Sequence, residues 1–85
     1  MYGNGIGDDG AKAIAEALKV NPVLTSLDLY GNFSIGDDGA RAIAEALKVN
    51  PVLTKLDLQY NNLGDAGKQA VREAVKGRSG FELYL

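Results

Sequence analysis

Apolar positions first follow a helical rhythm in this chain. Ala11, Ile14, Ala15 and Leu18 stand at i, i+3, i+4 and i+7, and Ala40, Ile43, Ala44 and Leu47 repeat the spacing. That stripe predicts two amphipathic helices. Asp8 or Asp9, and Asp37 or Asp38, stand where a side-chain oxygen caps the free amides of a helix start, and their charge suits its positive end. Asn21-Pro22 and Asn50-Pro51 then end each helix. After each Asn-Pro the rhythm shortens to alternation: Leu24, Leu27 and Leu29 in the first case, Leu53, Leu56 and Leu58 in the second. Each predicts a short strand with its leucines inward, left by an Asn (Asn32, Asn61) able to bond backbone groups at the exit. Phe81, Leu83 and Leu85 alternate as a final strand.

These elements belong to a repeat. Ile6 to Thr25 and Ile35 to Thr54 differ only in Lys12 against Arg41, and a degraded third copy starts at Leu63. Self-similarity at this period marks an array of one supersecondary unit. The strand pattern L-x-x-L-x-L-x-x-N, joined to one helix per unit, resembles the leucine-rich repeat family, and within it the ribonuclease-inhibitor-like subclass with units of about 28 to 29 residues. The resemblance implies an α/β solenoid, a horseshoe fragment, with a parallel sheet on the concave side and helices on the convex side. It implies about three helix–strand units, near 1–29, 30–58 and 59–85, in a single domain covering 1–85. Phe33-Ser34 lengthens one loop by a residue, and Met1 to Asn4 aligns with Leu29 to Asn32, so the chain reads as starting at the end of a strand it does not possess. A shortened array, or a consensus-like building block, is expected on that reading.

Composition narrows the role. Nine Lys and Arg against eleven Asp and Glu give a net charge of −2, which provides no basic surplus for nucleic acid. There is no Cys and no His, which removes thiolate sites, the commonest metal ligand and the commonest general base. No apolar run reaches a membrane span, and Met1 is not followed by a secretion signal, so the cytosol is the default compartment. No cofactor, no small-molecule substrate and no catalysis are expected. Gly5 to Gly10 fits the string G-x-G-x-x-G, but no apolar strand precedes it and its two Asp would repel a phosphate. The pairs Asp8-Asp9 and Asp37-Asp38 lack the further ligands of a calcium loop and read as helix caps.

Two candidate surfaces remain. On a helical wheel, Gly39, Ala42 and Ala46 form one flank of the second helix, and Ala40 and Ala44 the other. In the third helix Lys68 and Arg72 replace the alanines of the latter flank, as expected where no further repeat follows. The opposite flank of the first helix, Gly10, Ala13 and Ala17, is small and uncharged. It is expected to pack on a second copy in a two-fold homodimer, with strands antiparallel across the joint.

The second surface comprises the strand residues facing away from the leucines: Ser26, Asp28 and Tyr30, then Lys55, Asp57 and Gln59, then Glu82 and Tyr84. Paired Asp with neighbouring Tyr suits a Lys- or Arg-bearing protein partner, though solvated filler at a repeated strand position would read the same. Phe33 is expected to fold under its loop, and Tyr2 and Tyr60 to form ledges over the leucine core. The sequence thus points to a non-enzymatic interaction scaffold that associates with itself, or alternatively to a recognition module for a basic partner.

Overall fold

A computed structural model describes residues 7–31 and 34–85. The order is α1 (Gly7–Val20), β1 (Ser26–Asp28), α2 (Asp37–Val49), β2 (Lys55–Asp57), α3 (Asp65–Val75) and β3 (Glu82–Tyr84). The strands form one parallel sheet in the order β1-β2-β3. Its register is direct: Leu27 pairs with Leu56 and Leu56 with Leu83. α2 and α3 are the crossovers between parallel neighbours, and α1 packs on α2 and α2 on α3. The result is the expected solenoid fragment, helices on one side and sheet on the other.

Burial follows position in the stack. Leu53 and Leu56 of the middle unit are fully buried, while Leu24 and Leu27 before them and Leu83 and Leu85 after them are half-buried. Each unit therefore depends on its neighbours to shield its leucines. The helices contribute Ala11, Ala15 and Leu18, then Ala40, Ile43, Ala44 and Leu47, then Val71, to the same core.

Helix capping departs from the local expectation. Asp8 and Asp37 lie inside the first turns of α1 and α2, and the carboxylate of each bonds amides at the start of the following helix. Gly36 N–H at 2.6 Å and Gly39 N–H at 3.1 Å donate to Asp8 Oδ1, so the carboxylate of α1 caps α2. Asp37 Oδ1 likewise accepts from Gly64 N–H at 2.8 Å and Gly67 N–H at 2.9 Å, at the start of α3. The N-cap residues Gly36 and Gly64 have no side chain to do this themselves, and the preceding repeat supplies it. Asp9 and Asp38 are exposed.

The Asn-Pro corners are tied in the same manner. The Asn50 side chain is 2% exposed; its Nδ2 donates to Leu18 O at 2.7 Å and its Oδ1 accepts from Val52 and Leu53 N–H at 2.8 and 2.9 Å. In the third unit Arg78 takes this place. Its Nη1 donates to Leu47 O at 2.9 Å and its Nη2 to Leu53 O at 2.6 Å. At the other sheet margin Asn61 Nδ2 donates to Leu29 O at 2.8 Å, which joins the exits of β1 and β2. Asn32, Phe33 and Tyr2, for which roles were expected above, lie outside the described residues.

Candidate interaction surfaces

The flank of α1 is the first candidate. Gly39 of α2 packs so tightly on α1 that a Cβ there would lie 2.9 Å from Ala11 Cβ, and Ala46 further along that flank of α2 is fully buried. The equivalent residues of α1 are more open: Ala13 and Ala17 are exposed and Gly10 is half-buried. The same sequence is covered in one repeat and open in the other. At the far end Ala40 (0% exposed) and Ala44 (2%) of α2 correspond to Lys68 and Arg72 of α3, which are half-buried and exposed. That change of residue type follows the change of environment.

The sheet face is the second candidate. Register places Ser26, Lys55 and Glu82 in one row and Asp28, Asp57 and Tyr84 in the next. Adjacent parallel strands are about 4.8 Å apart, so the two carboxylates are immediate neighbours. Each is partly engaged in its own turn: Asp28 Oδ1 accepts from Tyr30 N–H and Asp57 Oδ1 from Gln59 N–H, both at 2.9 Å. These Asx turns also explain, without any ligand, why Asp recurs at the strand end. Lys55 Nζ lies 5.8 Å from the centre of the Tyr84 ring, so the row of mixed charge and the acidic row meet at β3. The expected residues are therefore brought together, with Tyr30 and Gln59 at the exit of their strands.

Tyr60 joins this face, contrary to the expectation of a ledge over the leucines. It is 61% exposed, adopts φ 59°, and packs edge-on against Tyr30 with ring centres 5.0 Å apart. Its counterpart one repeat earlier is Gly31, at φ 78°. A left-handed backbone costs a non-glycine residue roughly 1 to 2 kcal/mol, so Tyr60 is held in a conformation that glycine adopts freely. The sequence carried that signal in the Gly-to-Tyr exchange at a turn.

The outer helix faces carry ordinary solvated pairs, Lys19–Glu16, Arg41–Asp38 and Lys48–Glu45. The hydrogen bond from Lys48 and its charge hold the Glu45 carboxyl below the usual carboxylate range. Among the described residues no cluster of three or more His, Cys, Asp or Glu is placed to hold a metal ion, and no helix is long and apolar enough to cross a membrane.

The family model described as Leucine Rich repeat matches residues 2–15, 20–44 and 49–71, more than half of the chain. No curated protein matches the chain at a significant level.

Proposed function

Because the chain belongs to the leucine-rich repeat family, whose members generally bind proteins, we propose that it is a non-enzymatic interaction scaffold that pairs with a second copy of itself through Gly10, Ala13 and Ala17. The observation that carries this reading is the contrast between exposed Ala17 in α1 and fully buried Ala46 in α2, residues of identical sequence context. A period near 29 residues with a full helix in each unit supports the ribonuclease-inhibitor-like subclass.

Magnitudes favour a two-fold joint over head-to-tail stacking. Stacking α1 of one copy on α3 of another would let the exposed Asp65 cap a helix, a gain of about 1 kcal/mol. It would also bury Lys68 and Arg72, at a cost of several kcal/mol per unpaired ion. The charges win. A two-fold operator instead sets the uncharged flank of α1 on itself and brings the β1 edges together as antiparallel neighbours.

Light scattering across a concentration series is the test. A dimer is expected, and the pair Ala13→Lys with Ala17→Glu is expected to yield a monomer with native helicity, since both positions are exposed within one chain. Charge changes at Lys68 and Arg72 are expected to leave the dimer intact. A monomer at every concentration, or a dimer that survives the first pair, overturns the proposal.

Tyr60 favours a second reading. An exposed aromatic residue kept in strained backbone beside Tyr30, next to Asp28 and Asp57, suits a site for a Lys- or Arg-bearing protein. Asp28→Lys with Asp57→Lys would then abolish binding of a basic peptide while leaving helicity unchanged; equal affinity for the peptide argues against this role.

A further inference from the structure

The margin where the helices end and the strands begin carries a surface that neither reading uses. Val20, Val23 and Val49 are 82%, 76% and 60% exposed, more than any other large aliphatic side chains among the described residues. They lie on the repeated V-N-P-V corners, and Pro22 and Pro51 beside them are exposed as well. A cleft of about 250 Å³ separates the two corners. A second, of about 760 Å³, continues from Val49 and Pro51 across to Ala74, Arg78 and Phe81. Because Val49, Asn50 and Pro51 line both, the two clefts form one apolar path across all three repeats.

Its charge is opposite to that of the chain. The net charge is −2, yet the charged residues lining the path are Lys19, Lys48 and Arg78, and no carboxylate lines either cleft. Lys19 and Lys48 pair with exposed Glu16 and Glu45. Arg78 has no carboxylate among the described residues: its guanidinium is held by Leu47 O and Leu53 O and lies 5.1 Å from the centre of the Phe81 ring. Carbonyl oxygens fix its position without neutralising its charge.

We infer that this path is a docking groove for an extended peptide segment of a partner protein, one that alternates aliphatic and acidic residues. Aliphatic side chains would cover the Val and Pro corners, and a carboxylate would supply the counter-charge that Arg78 lacks. Helix axes in contact are about 8 to 10 Å apart and a strand advances roughly 3.3 Å per residue, so a path over three helices accommodates about five or six residues.

The experiment uses a hexapeptide alternating leucine and glutamate, blocked at both ends, titrated into the full chain and followed by amide chemical shifts. A control peptide has lysine in place of glutamate. The acidic peptide is expected to move the amides of Val20, Val49, Leu53 and Phe81, to bind at least about tenfold more tightly than the basic one, and to weaken as salt rises. Val20→Glu with Val49→Glu, both at exposed positions, is expected to weaken the acidic peptide about tenfold or more with native helicity retained. A flat titration, equal binding of the two peptides, shifts confined to Lys55, Asp57 and Tyr84 on the sheet face, or unchanged affinity in the double variant overturns the inference.

Discussion

Asp37 accepts the amide of Gly67 at 2.9 Å across 30 residues of sequence, and so fastens the start of α3 to the start of α2. Asp8 and Gly39 repeat the relationship one unit earlier, at 3.1 Å across 31 residues. A helix cap that crosses between units couples their folding, because the later helix has these first amides satisfied only when the earlier one is in place.

Asp37→Ala is therefore expected to destabilise the chain by about 1 to 3 kcal/mol, since it orphans two amides at once. Asp37→Asn is expected to retain most of that stability, as Asn caps equally well. Asp65→Ala, at the equivalent position but exposed and capping no helix among the described residues, is expected to change stability by less than about 0.5 kcal/mol. Urea denaturation of the three variants separates this arrangement from local capping, in which Asp65 would matter as much as Asp37.

Gly67→Ala sets two opposed effects against each other. Alanine is the better helix former by about 1 kcal/mol. Yet a Cβ at Gly67 would lie 2.5 Å from Asp37 Oδ1 and 3.1 Å from both Ala40 Cβ and the Asp37 backbone. Pushing the carboxylate away costs the cap as well as the clash, about 1 to 3 kcal/mol, so net destabilisation is expected. A rise in melting temperature for Gly67→Ala would contradict the close approach.

Asn50→Ala is expected to cost about 2 to 4 kcal/mol, because the side chain is buried, its loss leaves the amides of Val52 and Leu53 without their partner, and Leu18 O keeps only the longer bond from Asn21 N–H. Asn21→Ala removes only the bonds to the amides of Val23 and Leu24, at a more open corner, and is expected to cost about 1 kcal/mol. Thermal melts of the two variants check the difference.

Leu56→Ala is expected to cost about 2 to 5 kcal/mol, as it empties a fully buried position in the central strand. Leu85→Ala is expected to cost clearly less, since Leu85 is half-buried. Equal denaturation midpoints would argue against a stack in which each unit shields the next.

The sequence alone determined the kinds of element, their order and the inward set of leucines, because periods of 3.6 and 2 are local consequences of backbone geometry. The copied block also made a parallel stack legible, together with the small flank at Ala13 and Ala17. Tertiary structure decided where side chains bond across units. A carboxylate near a helix start is read in sequence as serving its own helix, yet stacking sets Asp8 and Asp37 against the next helix, whose cap is a glycine. In the same way the third unit lacks the Asn-Pro corner in sequence, and only the fold brings the long Arg78 side chain to the carbonyls of Leu47 and Leu53. Tyr60 is exposed on a left-handed turn, a placement that hydrophobic patterning does not encode. Contacts between residues some thirty positions apart depend on how repeats are spaced, and spacing is set by the packed helices and the sheet together.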